Sequence, residues 1–279
     1  TAGDAYDPTW AQVNSAETWN AAVAAGQNII LTANFTTTAQ LTINNTNSPS
    51  DSITVNGNGH IITAAGEQPW PNVNGSKHLV LITDAAGGST TADNVTLKNI
   101  TLDSANLAYG LQSFCVTNTV LNNVTLTGSV GAGLTVNGST VTATALHTSD
   151  NNWGGVNVDN GENVSGPTTF TFDATSTFNE DEGKAAVYSE TEDVTIIAPA
   201  GWACIQVSGN YVWSKLFAGG NGTEESPYLI TTAQEMKNVG LLADANNYFA
   251  LQNNIDMTGV EASQADSYGD TGDIYQLYG

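Results

Sequence analysis

The stretch NNVTLTGSVGAGLTVNG, residues 122–138, contains two phrases that recur along the chain and decide its fold. The first is a polar residue, Val or Ile, Thr, then an apolar residue: DSITV at 51–55, DNVTL at 93–97, NNVTL at 122–126 and EDVTI at 192–196. Successive side chains of a strand point to opposite faces. Ile53 and Val55, Val95 and Leu97, Val124 and Leu126, and Val194 and Ile196 are therefore expected on one inner face. The second phrase opens on small residues and continues apolar, polar, usually apolar: YGLQS, AGLTV, GGVNV, AAVYS and ACIQV. Its apolar anchors, Leu111, Leu134, Val156, Val187 and Ile205, succeed one another at 23, 22, 31 and 18 residues. A period near two dozen residues in a β-rich chain marks stacked supersecondary units, a β-solenoid.

Outward from this stretch, short Val/Ile/Leu/Thr runs alternate with Gly, Asn, Asp and Ser. Asn and Gly suit the corners, where left-handed backbone is needed. GPTTFTFDATSTF at 166–178 supplies a coil with Phe170, Phe172 and Phe178 available to the core, and NEDEGK at 179–184 reads as the loop that lengthens the 31-residue interval. Toward the N-terminus, SAETWNAAVAA at 15–25 reads as a helix with Trp19, Ala22, Val23 and Ala24 on one face, stopped by Gly26 and succeeded by the strand-like QNIILTANF. A short helix feeding a buried strand hides the first open edge of a solenoid.

Charge narrows the partners. The 279 residues carry a formal net charge of -22, with no arginine and five scattered lysines, Lys77, Lys98, Lys184, Lys215 and Lys237. No basic patch can neutralise a run of phosphates, so nucleic acid and acidic lipid are not expected partners. No apolar run approaches the roughly 18 residues of a membrane helix, so no membrane insertion is expected. The opening TAGDAYDPTW does not read as a signal segment. Export is suggested by the scarcity of Lys, the Asn/Thr/Gly-rich composition and sequons at Asn34, Asn44, Asn74, Asn94, Asn99, Asn123, Asn137, Asn163 and Asn221. Chance also generates sequons in a sequence this rich in Asn, Thr and Ser. Cys115 and Cys204 sit in apolar surroundings and read as two buried thiols, with a disulfide left open.

With its opening helix, NIILTANF, ITVNGNGHIITA at 53–64 and the repeated VTL and GLTVNG steps, the chain resembles right-handed parallel β-helix proteins of the pectate-lyase-like superfamily over roughly residues 10–215. The resemblance implies a fold and not a reaction, because the class holds lyases, hydrolases and non-catalytic adhesins. Beyond Leu216, GGNGTEESPYLITTAQEMKNVGLLADANNYFALQNNIDMTG resembles the start of repeat-bearing surface adhesins, through Pro227, Tyr228, Leu229 and Ile230 and the closing Asn254, Ile255 and Asp256. It also repeats the order of the chain's own beginning, a helix and then a strand. The expected architecture is thus all-β: a parallel β-helix with an N-terminal capping helix over residues 1–215. Residues 216–279 form a small helix-plus-strand module, either part of a larger surface protein or completed by a neighbouring copy.

Lyases of this class use a cationic base beside calcium held by carboxylates. Here only a lone Lys98 or Lys184 could serve, and the motifs of the pectin hydrolases are missing, GNGH at 57–60 with His60 being a near miss. An acid/base pair would need two carboxylates facing one groove; the candidates are Asp150 with Asp159, and the acidic loop Glu180, Asp181 and Glu182. His78 and His147 read as structural. Trp153 is placed at a corner one coil from that loop, where an exposed indole beside Asn152 and Asp159 could stack on a sugar face; burial of Trp153 in the core is the competing expectation. No cofactor is expected to be required. Calcium is the candidate small partner, through Glu180, Asp181 and Glu182 and through Asp270 and Asp273, although neither run has EF-hand spacing. The sequence therefore points to an extracellular, non-catalytic surface protein, an adhesin stalk or a self-assembling envelope subunit (layer, sheath or filament). Its expected partners are its own copies, other surface proteins or a polysaccharide. A carbohydrate-active enzyme or a glycan-binding module on the same fold is the alternative.

Overall fold

A computed structural model of the protein describes residues 7, 9–44, 47–71, 76–83, 94–160, 167–242 and 246–258. The chain divides into two compact units, residues 1–187 with 191–197 and residues 188–190 with 198–279.

The first unit is an all-β, parallel β-helix. Strand β1 (Ala11–Val13) leads into helix α1 (Ala16–Ala24), and the coils come after it. Coil one is β2 (Ile29–Leu31), β3 (Phe35–Thr37) and β4 (Leu41–Ile43); coil two is β5 (Ile53–Asn56), β6 (Ile61–Ala64) and β7 (His78–Thr83). Each of the next three coils has one long and one short strand: β8 (Val95–Asp103) and β9 (Tyr109–Phe114), β10 (Thr119–Thr127) and β11 (Ala132–Asn137), β12 (Thr140–Ser149) and β13 (Gly154–Asp159). β14 (Thr168–Phe172), β15 (Thr177–Asn179), β16 (Val187–Ser189) and β17 (Val194–Ile197) come next. One parallel sheet runs β1-β2-β5-β8-β10-β12-β14-β17, and a second includes β4-β7-β9-β11-β13.

The register explains why the second phrase repeats. Val80, Leu111, Leu134 and Val156 stack on one another, each with no exposed surface. Val187 is buried as fully, and Ala186 accepts from the Val156 amide. The small residue before each anchor is a steric demand. A Cβ on Gly110 would overlap the Gly133 carbonyl oxygen, one on Gly133 the Gly155 carbonyl oxygen, and one on Gly155 the Ala186 carbonyl oxygen. Backbones stacked this closely leave no room for a side chain, and each buried anchor contributes about 1.5–3 kcal/mol.

The first phrase faces the core as expected at Ile53, Val55, Val95, Leu97, Val124 and Leu126, each with no exposed surface, but it does so on two different arms of the long strands. Ile53, Val95 and Thr119 are in register, as are Val55, Leu97 and Leu121, whereas Val124 and Leu126 pair with Ile100 and Leu102. NNVTL therefore occupies the second arm of its strand and not the arm that DNVTL occupies. Each long strand bends at a left-handed residue: Asn99 (φ 52), Asn123 (φ 54) and Ala145 (φ 50). Asn94 (φ 62) starts the first arm in the same conformation. Asn in this conformation, then a β-branched residue, Thr and Leu, builds either arm equally well, so the local pattern does not say which. At the last coil, Val194 and Ile196 are only half-buried.

Helix α1 fulfils the reading of a cap. Ser15 and Thr18 form a capping box, Gly26 (φ 64) lies just past the helix, and Trp19, Ala22 and Val23 are buried. Ala24, expected on that face, is exposed. The Trp19 Nε1 donates to the Thr42 carbonyl at 3.0 Å. Farther along, Phe170 stacks on Phe172 at 5.5 Å and Phe172 meets Phe178 edge-on at 5.4 Å.

The second unit is built differently. Strands β18 (Trp202–Val207) and β19 (Asn210–Lys215) form an antiparallel hairpin. Ile205, expected as a fifth parallel anchor, belongs to this hairpin, and residues 202–215 group with the second unit. Ser208 (φ 52) and Gly209 (φ 87) supply the two left-handed residues of a tight hairpin turn. Strand β20 (Tyr228–Ile230), helix α2 (Ala233–Asn238), a 3-10 turn (Val239–Leu242) and strand β21 (Phe249–Leu251) complete the unit. β20 and β21 pair in parallel, and the core is Ala203, Ile205, Phe217, Tyr228, Ile230 and Leu242. Cys115 and Cys204 are both reduced thiols and are half-buried, where full burial is expected from sequence. Burial raises the Cys204 pKa to about 11.

Candidate functional site

The corner between β12 and β13 is where the β-helix turns an aromatic ring outward. Its backbone is fixed by stacking on the corner one coil before: the Asn152 amide donates to the Ser129 carbonyl at 2.9 Å and the Trp153 amide to the Gly131 carbonyl at 3.1 Å. Asn151, 2% exposed, locks the corner from inside. Its Oδ1 accepts from the Ser129 amide at 3.0 Å, and its Nδ2 donates to the Leu126 carbonyl at 3.2 Å. The Glu180 carboxylate holds Asn151 from the next coil, accepting from its backbone amide at 2.8 Å and its side-chain amide at 3.0 Å.

Trp153 is 51% exposed on this fixed corner, which overturns the expectation of burial. Its ring centroid lies 5.1 Å from that of Tyr109, tilted by 54°. Tyr109 can reach across because the intervening position is Gly131, where a Cβ would press on the tyrosine ring. On its other side Tyr109 meets His78 edge-on at 5.3 Å. His78 is buried and its Nδ1 lies 2.9 Å from the Ser76 hydroxyl. Desolvation lowers its pKa to about 3, so it is a neutral structural ring at physiological pH.

The other candidates separate. Asn152 is exposed beside Trp153, its Nδ2 donating to the Val130 carbonyl at 3.3 Å. Asp159 is not beside them. It ends β13, a strand whose six residues span on the order of 16 Å, and its carbonyl accepts from Asn137 and Thr168. Asp150 and Asp159 thus lie at opposite ends of that strand and cannot form an acid/base pair, which needs roughly 5–9.5 Å. Glu180 is bound to Asn151, while Asp181 and Glu182 are exposed in a turn closed by the Lys184 amide on the Asp181 carbonyl at 3.0 Å. Among the described residues no group of three or more His, Cys, Asp or Glu is placed to hold a metal ion; Asp270 and Asp273 lie outside them. Of the candidate bases, Lys98 sits 5.8 Å over the Trp10 ring, a cation–π arrangement. His60 Nδ1 lies 3.1 Å from Asn34 Oδ1, and His147 Nδ1 2.8 Å from the Thr177 hydroxyl.

Several of the described sequon asparagines bond from coil to coil. Asn123 donates to Asn99 at 2.9 Å, and Asn118 donates to Asn94 at 2.8 Å. Asn137, 8% exposed, accepts from Gln112 and donates to the Asp159 carbonyl. Asn221 is exposed and accepts from Thr223, while Asn44 is half-buried. Asn74 and Asn163 lie outside the described residues.

Sequence reasoning missed Tyr109, and a signal was there. In the aligned phrases its position is Ala132, Gly154, Ala185 and Ala203 in turn, so Tyr109 is the one large residue of that column.

A family model described as "Putative pectate lyase-like adhesive domain" matches residues 9–145. That match and the stacked parallel coils together make this region a pectate-lyase-like β-helix. No match is found among curated proteins or among solved structures. No helix among the described residues is long and apolar enough to cross a membrane.

Proposed function

We propose that the protein is an extracellular, non-catalytic adhesive protein of the cell surface, with the β-helix as its rigid body. The observation that carries this reading is the match of residues 9–145 to an adhesive domain on a parallel β-helix. It is supported by the separation of Asp150 from Asp159 and by the structural contacts of Lys98, His60, His147 and Glu180. Two assays test it. Incubation with uronate and neutral polysaccharides is expected to release neither unsaturated nor new reducing ends, and release of either would overturn the non-catalytic reading. Protease treatment of intact producing cells is expected to remove the protein, and protection until lysis would overturn the surface location.

A second reading, self-assembly into a layer, sheath or filament, is favoured by β20 and β21. Among the described residues they form a parallel sheet of two strands, in the order strand, helix, strand that begins the β-helix itself. Residues 216–279 then act as a second cap whose edge a neighbouring copy or a further module extends. Negative-stain electron microscopy with a sizing run separates these: ordered filaments or sheets support assembly, and dispersed particles the adhesin.

A further inference from the structure

We propose that Trp153 and Tyr109 form a platform for one face of an uncharged sugar in a glycan chain; this rests on the adhesive reading and names its ligand class. Three observations carry the inference. The indole is half-exposed yet its backbone is held by the stacked 128–131 and 150–153 corners, with Asn151 and Glu180 behind them. A rigid aromatic face meets a ligand with little ordering cost. Tyr109, resting on buried His78 and passing over Gly131, packs against the indole at 5.1 Å with the two planes tilted by 54°, which holds the exposed ring in place and sets a second aromatic surface beside it.

The surroundings select the ligand. A sugar has an apolar face of C–H groups rimmed by hydroxyls, which suits an indole flanked by hydrogen-bonding groups. The exposed Asn152 amide lies on the neighbouring residue, and the exposed Asp181 and Glu182 carboxylates lie in the turn one coil on. The carboxylates of that turn repel polyuronates, and they disfavour a second copy seated on this face. An uncharged glycan meets no such penalty and leaves the carboxylates free to accept from its hydroxyls.

The test uses the full chain and a set of linear hexasaccharides: neutral glucan, mannan, galactan and xylan, and hexagalacturonate. Binding is monitored by tryptophan fluorescence and calorimetry at low and high salt. At least one neutral hexasaccharide is expected to bind with little salt dependence. Trp153→Ala should weaken it by about tenfold or more, and Tyr109→Ala by a smaller factor. Trp153 is exposed, so unchanged circular dichroism and melting should show that its variant folds. Tyr109→Phe, which keeps the ring, should bind nearly as the parent does. The platform is overturned if no neutral chain binds, if Trp153→Ala binds as the parent does, or if hexagalacturonate binds as tightly at low salt. It is also overturned if Trp153→Ala instead dissolves a concentration-dependent dimer, which would make the face an interface between copies. Binding accompanied by shortened products would overturn the non-catalytic reading and leave the platform standing.

Discussion

The chain twice builds a strand, a capped helix and a second strand parallel to the first, and the two copies end up in different physical states. In the first, β1 and β2 enclose α1, whose nine residues bury Trp19, Ala22 and Val23. In the second, β20 and β21 enclose α2, none of whose six residues is fully buried although Met236 packs partly buried on the unit's core, before a 3-10 turn that buries Leu242. The first residues are alike: Val13 and Ile230 end the leading strands, and Ser15 and Thr232 cap the helices two residues later, each in a capping box. The difference lies in the strand on the far side of each helix. β2 pairs onward with β5 and is buried throughout, whereas β21 is the edge of a two-stranded sheet with Leu251 60% exposed. A helix needs a tertiary surface to be more than marginal, and within its own unit α1 buries three side chains fully where α2 buries none.

This contrast can be broken most forcibly at Trp19. Trp19→Ala removes a fully buried indole and its bond to Thr42, and is expected to cost about 3–5 kcal/mol in denaturant unfolding. A loss below about 1 kcal/mol would mean that α1 is as peripheral as α2. The caps come next. Ser15→Ala and Thr232→Ala should each cost about 1 kcal/mol, but hydrogen exchange should show α2 amides losing most of their protection while α1 keeps its own. Equal loss in the two helices would mean that α1 is no more firmly packed than α2.

Acidity sharpens the comparison, because the third helical residue is neutral Thr18 in α1 and Glu235 in α2. Burial pushes the Glu235 pKa up, but bonds from the backbone and side chains of Thr231 and Thr232 outweigh it and hold the pKa below the usual 4.5. A carboxylate depressed on folding stabilises above its unfolded pKa, and that contribution fades as pH falls through the folded value. Exchange protection of α2 should therefore drop in acid below about pH 4.5 while α1 is unchanged. Glu235→Gln should abolish the pH dependence. The smallest effect is expected at Leu251: Leu251→Ser should change stability by less than about 0.5 kcal/mol. A larger loss would show that something covers that edge.

How far the sequence can be read depends on the range of the interaction. Alternation makes the coils legible because it reports a constraint within a few residues, and the small-residue step before each anchor does so because the contact between coils that demands it recurs once per coil. The same spacing places the acidic turn one coil from Trp153, and the structure sets Glu180 of that turn against Asn151. Ile205 misleads because ACIQV fits a coil locally. The turn signal Ser208-Gly209, which makes the hairpin, lies just beyond it. Closeness in sequence groups Asp159 with Trp153, but an extended strand carries neighbours apart at about 3.3 Å per residue.

By itself the sequence determined that parallel β-coils stack and which side chains of the central coils face inward, since a two-residue period is a property of the local chain; Asn and Gly marked many of the left-handed positions, but not Ala145. Only the tertiary structure decided which arm each phrase occupies, that the fifth phrase pairs antiparallel, and that Tyr109 crosses Gly131 to meet an exposed Trp153. Those outcomes depend on which strand lies alongside: the hairpin follows from the tight turn just beyond the phrase, and pairing between coils, some two dozen residues apart, is set by the packing of the whole coil and not by any one segment's pattern.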